Sequence, residues 1–97
     1  MSEERSLGEA IGAYLRAMGH EEVSLLGEVA RCWEDVVGPK VAEHASPAGF
    51  VGGDLVVAVD DPGWATQLGF LAETILGGLE AELGRSVALG LKVTVRR

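Results

Sequence analysis

Apolar side chains recur at intervals of three and four residues in three segments of the chain, the spacing of an amphipathic helix. The first segment runs from Ser6, a candidate N-cap, to Gly19, and the second from near Glu22 to Gly38. The third starts at Asp60 or Asp61 and ends at Gly84. The three apolar faces are formed by Leu7, Ala10, Ile11, Tyr14, Leu15 and Met18; by Leu25, Leu26, Val29, Cys32, Trp33, Val36 and Val37; and by Trp64, Leu68, Leu71, Ile75, Leu76, Leu79 and Leu83.

Proline and glycine refine these boundaries. Pro39 suits the first turn of a helix rather than its interior, so a short turn is predicted over Pro39–His44. Pro62 marks a helix start in the same way. The Gly77-Gly78 pair weakens the third helix, by about 1 kcal/mol per glycine relative to alanine, and indicates close packing there against another part of the backbone.

Strand patterns occupy the remaining segments. A short strand near Ala48–Val51, a Gly52-Gly53 turn and a valine-rich strand over Leu55–Val59 predict a hairpin. The last segment alternates strictly, which is typical of a half-buried strand. One face carries Val87, Leu89, Leu91, Val93 and Val95, and the other carries Ala88, Gly90, Lys92, Thr94 and Arg96.

The predicted order is helix, helix, strand, strand, helix, strand, which is an α+β domain with a three-stranded sheet packed on helices. With 97 residues the chain is expected to form one domain over residues 1–97. The helices cover one face of the sheet, so the other face is expected to be exposed or docked.

Charge bears on the kind of partner. The chain carries 15 Asp and Glu residues and 8 Lys and Arg residues, a net charge of −7. A protein that binds phosphate backbones normally presents a basic face instead. The polar N-terminus and single cysteine predict a cytoplasmic protein. No apolar run reaches the ~20 residues of a membrane span, so no membrane partner is expected.

Groups that carry chemistry are few. Cys32, His20 and His44 are not at metal-ligand spacing, and Cys32 is interpreted as a core residue. Asp60-Asp61 is interpreted as helix capping, and His44 as a turn residue or an interface contact. The chain is therefore predicted to be no enzyme and to need no cofactor, metal or small-molecule substrate; a small hydrolase using Cys32 or His44 is the catalytic alternative.

Two further features have competing interpretations. Gly49-Phe50-Val51-Gly52 matches the GxxG pattern with which KH domains clamp nucleic-acid backbones, but two glycines shaping a hairpin explain it as well. Trp33 is interpreted as core. Trp64, at a helix start, is either core or an interface anchor.

A distributed pattern runs through these elements: Trp33 to Pro47 (WEDVVGPKVAEHASP), then Gly53 to Val59 (GDLVVAV), then Trp64-Ala65-Thr66-Gln67-Leu68 and Ile75-Leu76. This order, over Glu28 to Val95, resembles the DciA family, long catalogued as a domain of unknown function. The signature positions are Trp33, Gly38, Pro39, His44, Leu55, Trp64, Ala65 and Leu68.

The resemblance implies a KH-like domain that engages the bacterial replicative DNA helicase of the DnaB type and assists its loading onto single-stranded DNA, without nucleotide hydrolysis of its own. Trp64 is the first candidate for partner contact, followed by Leu68, His44 and Lys40. Candidate nucleic-acid contacts are Lys92, Arg96, Arg97 and Arg85.

The alternative function is a stand-alone KH-like nucleic-acid-binding module, based on the GxxG match and on the strand face that Lys92 and Arg96 share. The basic residues are scattered in sequence. Because the net charge is acidic, we expect contact with protein rather than with DNA.

Overall fold

A computed structural model describes residues 19–96, so the first predicted helix, Ser6 to Gly19, and Arg97 lie outside the described residues. The described chain is mixed α+β. The elements are α1 (His20–Val37), α2 (Pro39–His44), β1 (Ala45–Val51), β2 (Asp54–Val59), α3 (Pro62–Leu83) and β3 (Gly90–Val95). The predicted fold class is confirmed, and the turn expected over Pro39–His44 is a short helix.

The sheet has the strand order β1-β2-β3, with β2 antiparallel to β1 and parallel to β3. Gly52 and Gly53 join β1 to β2 with φ values of 57° and 88°, a backbone conformation that favours glycine. The predicted hairpin is therefore confirmed. β3 lies beside β2 with Leu55 opposite Leu91 and Val59 opposite Val95, so α3 provides the crossover between two parallel strands.

The core lies between the sheet and helices α1 and α3. Alternate residues of β2, Leu55, Val57 and Val59, pack into it and are fully buried. On the opposite face of β2, Val56 is also fully buried and Ala58 is 3% exposed. The centre of β2 is thus buried on both faces, which accounts for its unbroken apolar sequence.

The apolar stripe of α1 faces this core as its spacing predicts. Val29, Cys32 and Trp33 are buried. The indole N–H of Trp33 donates a 2.8 Å hydrogen bond to the carbonyl oxygen of Ala45. The apolar part of the ring is therefore buried in the core while its polar N–H keeps a hydrogen-bond partner. The interpretation of Trp33 as a core residue is confirmed.

Two strand boundaries differ from the prediction. β1 begins at Ala45 rather than near Ala48, and it accommodates Pro47 because β1 is an edge strand with a register shift between Pro47 and Gly49. β3 begins at Gly90, so the strict alternation from Val87 does not continue as one strand.

Leu89 is the residue for which the alternation fails. Its side chain is 88% exposed, although the pattern assigns it to the buried face. Its backbone N–H donates a 2.9 Å hydrogen bond to the carbonyl oxygen of Gly53 at the hairpin. Leu89 is therefore held at the turn, whereas Val87 and Ala88 just before it pack against the core.

Candidate functional site

Three polar and aromatic side chains meet where α2 ends and α3 begins. The imidazole of His44, the last residue of α2, is stacked on the indole of Trp64, with ring centroids 4.8 Å apart and an interplanar angle of 14°. His44 Nδ1 lies 2.9 Å from Oδ2 of Asp60, which follows β2. The imidazole is thus fixed on one side by a ring and at its edge by a carboxylate.

The backbone holds these residues in place. The backbone N–H of Asp60 donates to the carbonyl oxygen of His44 at 3.1 Å, so the two residues are joined by main chain as well as side chain. Asp61 caps α3, because its Oδ1 accepts a 2.6 Å hydrogen bond from the backbone N–H of Gly63. The capping interpretation is correct for Asp61, whereas Asp60 is bound to His44.

Trp64 also forms one wall of a cavity of about 530 Å³ between α2 and the start of α3. Trp64 is partly exposed. The lining residues are Lys40, Val41, Asp61, Gly63, Trp64 and Gln67. An indole face, an aliphatic side chain, an ammonium group, a carboxylate and an amide thus surround one depression, which suits recognition of an apolar side chain with polar neighbours.

The predicted partner-contact residues divide into two groups. Trp64, Lys40 and His44 lie together at this cavity or beside it. Leu68 is fully buried in the core, where its side chain is inaccessible to a partner. We therefore assign Leu68 to the support of α3 and leave it out of the contact surface.

Sequence reasoning missed Asp60 as a partner of His44, since the two are sixteen positions apart and only the fold brings them together. It also missed Val41 and Gln67 as cavity residues. Helical spacing contained a signal for Gln67, because it lies one turn after Trp64 on the same side of α3.

The predicted nucleic-acid residues are spread along the domain. Arg85 precedes β3 and pairs with Glu28, with Nη2 and Oε2 3.2 Å apart. Lys92 is exposed within β3, and Arg96 follows its other end, where its backbone N–H donates to Val59. Arg85 and Arg96 thus lie at opposite ends of β3, and Arg97 lies outside the described residues.

The GxxG segment belongs to the hairpin. Gly49 and Phe50 lie within β1, with Phe50 only 3% exposed, and Gly52 forms the turn. The loop that clamps nucleic acid in KH domains joins two helices instead. The hairpin interpretation of these glycines agrees with the structure.

Cys32 has a buried thiol in an environment that disfavours its ionisation. Burial raises the pKa of the Cys32 thiol, and the carboxylates of Glu82 and Asp35 raise it further. A thiolate nucleophile requires the opposite environment, one that lowers the pKa of the thiol.

Across residues 19–96, no three His, Cys, Asp or Glu side chains converge as a metal site would need.

None of the helices within residues 19–96 combines the length and the apolar character needed to cross a lipid bilayer.

The family model described as "Dna[CI] antecedent, DciA" matches residues 6–93, which is most of the chain. The match includes the whole of the surface around Trp64.

Curated relatives include UPF0232 proteins of Streptomyces, Mycobacterium and Mycolicibacterium species. The Streptomyces coelicolor protein is 34% identical over 90 residues, which are 91% of this chain and 47% of that one. A Mycobacterium tuberculosis protein is 34% identical over 88 residues, again 91% of this chain and 47% of the relative. The Mycolicibacterium paratuberculosis protein is 38% identical over 68 residues, 70% of this chain and 38% of its own length. The chain thus spans less than half the length of these relatives.

Proposed function

Because this chain belongs to the DciA family, we propose that it is a DNA-replication accessory protein that binds the replicative DNA helicase, of the DnaB type, and assists its loading onto single-stranded DNA. Membership of this family indicates a role related to replication. The binding of the helicase and the loading step are our proposal.

The observation that supports contact with a protein is the surface around Trp64. A partly exposed indole is held by stacking on His44 and opens onto a cavity with Lys40 at its wall. Tryptophan is one of the residue types enriched among the side chains that dominate binding energy at interfaces. Because the ring is already fixed, a partner loses little conformational entropy of Trp64 when it binds.

The charge distribution supports protein rather than DNA as the direct partner. The chain has a net charge of −7, and Arg85 is paired with Glu28. A phosphate backbone approaching this domain meets net repulsion at low salt. The protein therefore assists loading chiefly through the helicase.

Calorimetric titration against the replicative helicase of the same organism tests binding. We expect a Kd of about 50 µM or tighter. Lys40→Ala, at the cavity wall, is expected to weaken binding, whereas Lys92→Ala, which removes the same charge from β3, leaves it unchanged. If the wild-type protein does not bind, the helicase proposal is wrong.

The loading step is tested by the amount of helicase that associates with a circular single strand, with and without the protein. We expect the protein to increase this association.

Fluorescence anisotropy with labelled single-stranded DNA and RNA tests the alternative function. Tight binding that weakens steeply as salt rises would favour the stand-alone nucleic-acid-binding module instead.

A further inference from the structure

The hydrogen bond between His44 and Asp60 determines which ring nitrogen of His44 carries the proton. Nδ1 of His44 lies 2.9 Å from Oδ2 of Asp60. An ionised carboxylate has no proton to donate and only accepts hydrogen bonds. The proton of this bond therefore belongs to Nδ1. In the neutral imidazole the other nitrogen, Nε2, is then unprotonated and acts as an acceptor.

Asp60, and not Trp64, selects this orientation of the imidazole. The indole of Trp64 lies against one face of the ring, with the two centroids 4.8 Å apart. Turning the imidazole over would preserve that stacking, but it would place the carbon Cδ2 opposite the carboxylate and lose the hydrogen bond. The carboxylate is itself held beside the ring, because the backbone N–H of Asp60 donates to the carbonyl oxygen of His44 at 3.1 Å.

The nitrogen Nε2 of His44 is accessible. The side chain of His44 is 34% exposed, and its described hydrogen bond is made by Nδ1. Within residues 19–96, the enclosed side-chain nitrogen that has no hydrogen-bond partner is Nε of Arg96. Nε2 of His44 is not enclosed in this way, so it can accept a hydrogen bond from outside the domain.

This acceptor adjoins the cavity at Trp64. Lys40 and His44 are one helical turn apart on α2, and residues at this spacing are neighbours on a helix surface. Lys40 lines the cavity together with Trp64, and His44 is stacked on Trp64. A molecule that covers the exposed part of Trp64 therefore also comes close to Nε2.

We propose that Asp60 is a positioning residue of the surface around Trp64. It holds His44 as the Nδ1–H tautomer, so that Nε2 accepts a hydrogen bond from an N–H or O–H group of the partner protein. A partner that covers Nε2 without a donor leaves a buried, unpaired acceptor, which costs binding free energy. The opposite tautomer would select for an acceptor instead, so the carboxylate of Asp60 decides which partner chemistry is accepted.

The inference rests on the proposed function only for the identity of the partner, because the tautomer is measured on the protein alone. Long-range ¹H–¹⁵N correlation spectra of the ¹⁵N-labelled full chain distinguish a protonated ring nitrogen from an unprotonated one. The chain has two histidines, His20 and His44, and a His20→Gln variant assigns their signals. The spectra are recorded at a pH at which the ¹⁵N shifts show both rings to be neutral.

We expect Nδ1–H to be the main tautomer of His44 in the wild type. In Asp60→Ala the acceptor is lost, and Nε2–H, the form that a free imidazole side chain prefers, is expected to become the main tautomer. Glu43→Ala is the matched control. Glu43 precedes His44 and is exposed, so this variant removes a neighbouring carboxylate that does not bond to the ring and is expected to leave the tautomer unchanged.

The same proteins are then titrated against the replicative helicase by calorimetry. Asp60→Ala places an N–H where the partner expects an acceptor and is expected to weaken binding about tenfold. Glu43→Ala is expected to change the affinity less than about twofold.

The two measurements separate this inference from the helicase proposal. A wild-type His44 that carries its proton on Nε2, or a tautomer that Asp60→Ala does not change, overturns the positioning role of Asp60. If the tautomer follows Asp60 but the helicase binds Asp60→Ala as tightly as the wild type, Nε2 is not a contact. If the tautomer follows Asp60 and no protein binds the helicase, the positioning role stands and the helicase proposal is wrong.

Discussion

The imidazole of His44 lies nearly parallel to the indole of Trp64, at 4.8 Å between ring centroids and 14° between planes. Because offset stacked rings attract each other beyond their buried area, we expect a double-mutant cycle of His44→Ala and Trp64→Ala to give a coupling free energy of about 0.5–1.5 kcal/mol in favour of the folded state. Urea denaturation of the wild type, the two single variants and the double variant measures it.

The control cycle combines His44→Ala with Leu89→Ala. Leu89 lies by the hairpin, at the other end of β1 from His44, and is 88% exposed. These two substitutions are expected to be additive within about 0.5 kcal/mol. A His44–Trp64 coupling no larger than that of the control would mean that the stacked rings do not stabilise the fold.

Trp64 is expected to contribute to binding as well as to stability, because its side chain packs against the core and is also partly exposed. We predict that Trp64→Ala lowers affinity for the helicase by about 2 kcal/mol or more, roughly thirtyfold, whereas Trp64→Phe retains part of the stacking and loses less. Calorimetric titration measures the affinity, and urea denaturation shows that each variant is folded. Unchanged affinity of a folded Trp64→Ala variant would exclude this surface as the contact.

The core was predictable from spacing alone. Val29, Cys32 and Trp33 are buried because one face of a 3.6-residue helix must meet the sheet, and that periodicity is visible in the sequence. The glycine turn at Gly52-Gly53 was predictable because few other residues adopt its φ values.

The site was predictable only in part. The position of Trp64 in the first turn of a helix indicated a residue that a partner can reach, but the bond between His44 and Asp60 depends on how β2 returns beside α2. Leu89 was misassigned because alternation records which residues are apolar, not where a strand begins. Pairing with β2 starts at Gly90, and that is a tertiary effect.

Replacing two adjacent glycines of α3, Gly77 and Gly78, with alanine is expected to change the stability of the protein in opposite directions. At Gly77 a Cβ meets nothing within 4 Å, so Gly77→Ala is expected to stabilise the protein by about 0.5–1 kcal/mol through helix propensity. At Gly78 a Cβ would lie 2.8 Å from Val36, and Gly78→Ala is expected to destabilise by about 1–3 kcal/mol. Thermal or urea denaturation measures both variants.

The second substitution has an internal control. Val36→Ala removes the atom that a Cβ at Gly78 would approach, so Gly78→Ala is expected to cost less in the Val36→Ala background than in the wild type. If Gly78→Ala stabilises the protein as much as Gly77→Ala, α1 and α3 do not pack closely at this point.

The environment of Cys32 predicts how stability depends on pH. Burial, together with Glu82 and Asp35, raises the pKa of its thiol in the folded protein. The thiol of an unfolded chain ionises at about pH 8.5. Above that pH the unfolded state therefore binds fewer protons than the folded state. The free energy of unfolding consequently falls as the pH rises. Cys32→Ala, which lacks this proton, should lose less stability between about pH 7 and about pH 10. Urea denaturation of both proteins over that range measures the difference, and parallel pH profiles would show that the Cys32 thiol ionises as readily in the folded protein as in the unfolded chain.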